Sequence, residues 1–134
     1  MDYKFQDTVP ANTPKANMRR LKMTLAPGVI HKVVVHFPAG CLYLAHATIW
    51  QGEHQVWPTN SEESYNFEDY IHEMAEYFPI GAPAELELRT WNLDETYDHT
   101  IFVTIGILPP EMVAPWQSLD KLTEQLKLII GYAP

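Results

Sequence analysis

Val29-Ile30-His31-Lys32-Val33-Val34-Val35-His36-Phe37-Pro38-Ala39-Gly40-Cys41-Leu42-Tyr43-Leu44-Ala45-His46-Ala47-Thr48-Ile49-Trp50 is two long strand-like runs broken by Pro-Ala-Gly. Pro38 suits the second position of a type I turn, and Gly40 can take the left-handed conformation required next, so the chemistry predicts a hairpin with a short loop. Antiparallel partners step in opposite directions. One face then pairs Phe37 with Cys41, Val35 with Tyr43, Val33 with Ala45, His31 with Ala47 and Val29 with Ile49. That is a core face. The other face pairs His36 with Leu42, Val34 with Leu44, Lys32 with His46 and Ile30 with Thr48, with Trp50 near its end. A sheet wet on one side alternates cleanly between apolar and polar, so Ile30, Val34, Leu42, Leu44 and Trp50 are expected to be covered by another surface. A bulge at Gly40 would exchange the two faces without removing the second apolar set.

Outward from this stretch, residues 1–27 are broken by Pro10, Pro14 and Pro27 and read as an extended arm with strand pieces at Lys4 to Val9 and Arg19 to Leu25. Gln51-Gly52-Glu53 is a turn, Gln55 to Trp57 a short strand, and Pro58-Thr59-Asn60-Ser61 a loop. Phe67 to Phe78 fits two readings: a helix capped by Asn66, from the spacing of Phe67, Tyr70, Ile71, Met74, Tyr77 and Phe78, or an aromatic strand or crossover. Ala84 to Asn92 alternates, Thr100 to Leu108 is β-branched, and Asn92 to His99 should close a second hairpin between them, completing a body over 28–108. Past Pro109-Pro110 the pattern changes. In the segment 109–134, Pro115 and Ser118 give start signals, and Leu119, Leu122, Leu126, Ile129 and Ile130 recur on one helical face until Gly131. A lone amphipathic helix of about three turns is marginal in water, so it is expected to dock on its own sheet, a neighbouring subunit or another partner.

At 134 residues the chain fits one domain with a substantial core. The net charge of -8 argues against a nucleic-acid groove, which needs clustered Lys and Arg. Arg19-Arg20 with Lys22 is the one local basic cluster, and it reads as an edge strand protected by charge. Cys41 is the only cysteine; it allows no intrachain disulfide and no thiolate metal site, and reads as a buried hydrophobe. The start, Met1-Asp2-Tyr3-Lys4-Phe5, lacks the apolar run of a signal peptide, and no run is long enough to span a bilayer. A soluble, cytoplasmic protein without a membrane contact is the expectation.

Catalytic and metal signatures are weak. In the hairpin register His31 and His36 project to opposite faces, His46 sits across from Lys32, and a site at His46, Glu53 and His54 needs a sharp chain return, so no metal or other cofactor is expected. Asn92 to His99 gathers Asp94, Glu95 and Asp98 without an EF-hand pattern and reads as an acidic, solvated loop rather than a Ca²⁺ site. Glu62-Glu63 and Glu68-Asp69 are adjacent carboxylates of unknown separation, and Ser61, Ser64 and Ser118 lie outside any nucleophile elbow. Trp50, Trp57, Trp91 and Trp116, with Tyr65, Tyr70 and Tyr77, suit either sugar stacking or subunit contact.

The order of Pro27-Gly28-Val29-Ile30-His31, Phe37-Pro38-Ala39-Gly40, Gly52-Glu53-His54-Gln55-Val56-Trp57-Pro58-Thr59-Asn60 and Trp91 to Thr100 resembles small β-sandwich accessory proteins of phage-like virions, over roughly Val9 to Leu108. The resemblance implies a decoration, cement or spike subunit located on a virion, with a capsid or similar particle protein as partner. Its motifs are turns and strand ends and transfer no functional residue. From the residues themselves we expect an antiparallel β-sandwich, jelly-roll-like or immunoglobulin-like, with an appended C-terminal helix. Its expected work is non-enzymatic assembly as a homo-oligomer, with a trimer as the number the resemblance suggests. The interface would comprise Ile30, Val34, Leu42, Leu44, Trp50, Leu119, Leu122, Leu126, Ile129 and Ile130. The alternative is a carbohydrate-binding module using Trp57 and Trp91.

Overall fold

The computed structural model describes residues 1–109, and these described residues are all-β. The strands are β1 Asp2–Val9, β2 Arg19–Thr24, β3 Gly28–Phe37, β4 Ala45–Gln51, β5 His54–Trp57, β6 Tyr70–Ile80, β7 Glu85–Asn92 and β8 His99–Leu108, with a 3₁₀ turn at Lys15–Asn17. They form two four-stranded antiparallel sheets, A in the order β1-β8-β3-β6 and B in the order β2-β7-β4-β5. Both sheets contribute to one core. Val33, Val35, Ile101, Val103 and Ile105 from sheet A meet Met23, Ala45, Ala47, Ile49, Leu86 and Leu88 from sheet B. Alternation creates much of this arrangement: Val33, Val35 and Phe37 of β3, Ala45, Ala47 and Ile49 of β4, and Ile101, Val103 and Ile105 of β8 are buried at every second position, and each large apolar side chain among them contributes about 1.5–3 kcal/mol by leaving water.

The predicted hairpin at Pro38-Ala39-Gly40 does not form. β3 belongs to sheet A and β4 to sheet B, so the chain between them crosses from one layer to the other. Leu42 and Tyr43 adopt left-handed backbone conformations, with φ of 48° and 63°, and the Leu44 N–H closes a turn onto the Cys41 carbonyl at 2.9 Å. This ends the extended run that the sequence suggests from Cys41 onward, and β4 starts only at Ala45. The core alternation survives the error: Val33, Val35 and Phe37 look across the interior toward Ala45, Ala47 and Ile49 instead of lying beside them. The Asn92 to His99 hairpin fails for the same reason, since β7 and β8 lie in different sheets.

One predicted face changes within β3. The register shifts between Ile30 and Lys32 against both neighbours, which is a bulge at His31. Ile30 thereby turns into the core at 0% exposure. His31 turns out beside Gly106, onto the same outer face as His36, where the sequence register had opposed the two histidines. From Tyr70 onward the ambiguous segment is strand β6, with Met74 and Phe78 on its inward face packed against the core.

The basic cluster divides. β2 is an edge strand of sheet B, and Arg20 and Lys22 reach the Glu87 and Glu85 carboxylates of β7 at 4.0 and 3.0 Å. Arg19 points the other way. Its guanidinium grips Asp7 of β1 through Nε and Nη2 at 3.1–3.2 Å, and the Thr90 hydroxyl of β7 donates to the same carboxylate at 2.8 Å. Asp7 is buried, so this clasp ties sheet A to sheet B at one end. The sequence carried a sign of it: Asp7 shares the inward parity of Phe5 and Val9, and a carboxylate on an apolar face requires a partner. The predicted helix with Leu119, Leu122, Leu126, Ile129 and Ile130, and Trp116 before it, lies outside the described residues.

Candidate functional site at the long-loop end

Antiparallel pairing places the connections 10–18, 38–44, 58–69 and 93–98 together at one end of the two sheets, while the shorter connections at 25–27, 52–53 and 81–84 share the other. Loops carried by a rigid sheet framework are where binding residues concentrate. Here the long loops are tied to one another. Asn12 and Thr13 donate backbone hydrogen bonds to the carbonyls of Asp94 and Asn92, Leu93 donates to Leu44, and the Asn66 side-chain amide donates to the Tyr43 carbonyl at 3.2 Å. The buried Gln55 amide donates to the carbonyls of Pro58, Asn60 and Glu63 and so shapes the 58–63 segment from beneath.

Between loops 38–44 and 58–69 lies a cleft of about 380 Å³ lined by Tyr43, Phe67, Glu68, Tyr70 and His72. Phe67 is its floor, packed edge-on against Phe37 of the core at 5.7 Å between ring centres. The Tyr70 and His72 rings lean on Phe67 at 4.9 and 5.3 Å. Tyr43 and Tyr70 keep 59% and 48% of their surface in solvent, so the cleft presents usable ring area. Glu68 fixes the loop opposite: its carboxylate accepts the N–H groups of Gly40 at 2.8 Å and Leu42 at 2.9 Å. Left-handed φ at bulky residues such as Leu42 and Tyr43 costs about 1–2 kcal/mol each, so this presentation persists only because Glu68, Asn66 and the Cys41 turn hold it.

Near the cleft, burial and then the Glu68 charge push the Cys41 thiol up to about 11, which leaves it a neutral packing group as the sequence suggested. Burial, with Glu76 adding to it, raises the Tyr65 hydroxyl to about 12, and that hydroxyl donates to the Met74 sulfur.

The 93–98 loop is not solvated at Asp94. Its carboxylate accepts N–H bonds from Thr96 and Tyr97 and pairs with His99 Nε2 at 2.8 Å. The Thr96 bond foremost, then His99, holds Asp94 below the ordinary carboxylate range. Asp98 accepts the Ala11 N–H at 2.9 Å. Among the described residues no group of three His, Cys, Asp or Glu side chains could hold a metal ion, and no helix is long and apolar enough to cross a membrane.

The sequence-predicted interface residues are dispersed. Ile30 is core; Val34 lies on the outer face of sheet A; Leu42 and Leu44 sit in the crossing loop. Trp50 lies on the outside of sheet B, where Arg89 stacks 3.9 Å from its ring centre while bonding Glu87. Of the tryptophans named for sugar stacking, Trp57 and Trp91 are buried. Trp57 is a core residue, and Trp91 is covered by a parallel His46 ring at 5.1 Å, with Lys15 Nζ 5.3 Å from its centre. Burial and then Lys15 hold His46 below the usual histidine range, and its Nδ1 bonds the Ser64 hydroxyl at 2.8 Å. The sequence hinted at the cleft only through the aromatic content of 65–72, because its other wall comes from the loop after β3.

A second surface is the outer face of sheet A. Val34, His36, Ile71, Phe102 and Lys4 line an open groove of about 610 Å³, with His36 stacked on Phe102 at 5.6 Å. Neither protein-family models nor curated proteins give a match to this chain.

Proposed function

We propose that this chain is a non-enzymatic assembly module of the jelly-roll kind that associates with further copies of itself through the outer face of sheet A. The pairing supports the jelly-roll reading over the immunoglobulin-like one: β1 with β8, β2 with β7, β3 with β6 and β4 with β5 is one long folded ribbon rolled into two sheets. The observation that carries the assembly reading is the groove on sheet A. Ile71, Phe102 and Val34 interrupt what should be a polar face on a sheet with water on one side. The apolar set argued from sequence therefore has a successor, reduced to Val34 and joined by residues of β6 and β8. The resemblance to virion accessory subunits supplies the wider context, a particle surface carrying a trimer of this chain.

Light scattering across micromolar to near-millimolar concentration tests it. The native chain should be oligomeric, and Ile71→Asp with Phe102→Asp should give a folded monomer, because both side chains are exposed and each unpaired carboxylate in the contact costs several kcal/mol. A native chain that stays monomeric throughout removes the reading.

A further inference from the structure

We propose that the cleft of Tyr43, Phe67, Glu68, Tyr70 and His72 is a binding site for a cationic side chain, the guanidinium or ammonium group of an Arg or Lys on a partner protein. Its volume, about 380 Å³, lies at the low end of ligand clefts and leaves room for one side-chain head group. The two loops that build it, 38–44 and 58–69, contain Glu62, Glu63, Glu68 and Asp69 and no Lys or Arg, so an anionic ligand is repelled at the entrance. Aromatic faces carry negative charge density that attracts a cation lying over them, and a carboxylate beside such rings adds to the attraction. Tyr43 and Tyr70 supply exposed rings, and Glu68 supplies the charge.

A sugar ring fits less well. Sugars are held by paired hydrogen bonds to their hydroxyls, and Glu68 already directs its oxygens at the N–H groups of Gly40 and Leu42. It therefore contributes field more than directed bonds, and field selects charge. Guanidinium has the further advantage of stacking flat on an aromatic face. The site stands whether or not the chain self-associates, since it lies at the loop end and shares no lining residue with the groove on sheet A.

The probes are N-acetylarginine amide, its neutral isostere N-acetylcitrulline amide, and methyl glucoside, titrated while following the Tyr43 and Tyr70 ring resonances by NMR. The arginine compound should shift both in a saturable way, with citrulline at least tenfold weaker and salt weakening the arginine response. Tyr70→Ser and Tyr43→Asn should each abolish saturation; asparagine tolerates the left-handed backbone at 43, so the fold should persist, as the thermal midpoint will show. Equal binding of citrulline, a response to methyl glucoside in place of arginine, or no shift at these rings overturns the assignment.

Discussion

Replacing Asp7 by alanine should loosen the two sheets from one another, and the size of the effect follows from the contacts the carboxylate makes. It accepts two guanidinium nitrogens of Arg19 and the hydroxyl of Thr90, whose residue has 0% exposure. Charge-assisted bonds are worth roughly 1.5–3 kcal/mol when buried, but the Arg19 side chain is 47% exposed, so solvent screening reduces its share to about 1 kcal/mol. The Thr90 hydroxyl, left without an acceptor in the interior, adds roughly 1–2 kcal/mol. The expected loss is about 2–3 kcal/mol, or on the order of 10 °C in thermal midpoint for a domain of this size. Arg19→Met should cost about 2 kcal/mol, because the buried Asp7 loses its counter-charge. The double variant should cost less than the two single losses added, with a coupling of about 1 kcal/mol. Urea unfolding followed by tryptophan fluorescence measures all four corners of this cycle. A loss under about 0.5 kcal/mol for Asp7→Ala, or strict additivity in the cycle, would refute the clasp as a link between the sheets.

The glycines of sheet A should differ sharply in tolerance. A Cβ at Gly28 would meet the Leu108 carbonyl oxygen at 2.5 Å and Ile107 Cγ2 at 2.8 Å, so Gly28→Ala must push β3 from β8 and should cost about 2–3 kcal/mol. At Gly106 the nearest atoms are the ends of the His31 and Asp2 side chains, at 2.9 and 3.1 Å, which can swing away; Gly106→Ala should cost under about 1 kcal/mol, and thermal melts giving the reverse order would contradict the bulge geometry. Acid should destabilise the fold in two windows. His46 is held below its ordinary value of 6.5, so the unfolded chain binds its proton first and stability falls as pH drops from 6.5 toward the lower folded value; His46→Asn should flatten this limb of a midpoint-versus-pH curve. Asp94 is held below 3.8, so its contribution is present above 3.8 and is lost as pH falls through the folded value; an unchanged midpoint below 3.8 would count against its bonds to Thr96 and His99.

Much of the local structure was legible in the residues. Alternation marked Val33, Val35, Ala45, Ala47, Ile49, Leu86 and Leu88 as inward, and turn chemistry marked Gln51-Gly52-Glu53 as a turn, which in the structure closes the β4–β5 hairpin. Pro38-Ala39-Gly40 has the same kind of chemistry and led to a wrong pairing. A turn signal states that the chain bends, while the layer it enters afterwards depends on the backbone of Leu42 and Tyr43 and on the Glu68 carboxylate that arrives from loop 58–69. The cleft was illegible for the same reason, since Tyr43 and Tyr70 become neighbours only once β3 pairs with β6 in the Phe37–Tyr70 register. The side of a strand that must leave water is a property of its own residues, because burial energy is proportional to apolar area wherever it is buried. The strand lying beside it depends on which long-range pairing closes the core with the inward polar groups of the described residues, Asp7 among them, satisfied, and that is decided by many strands together.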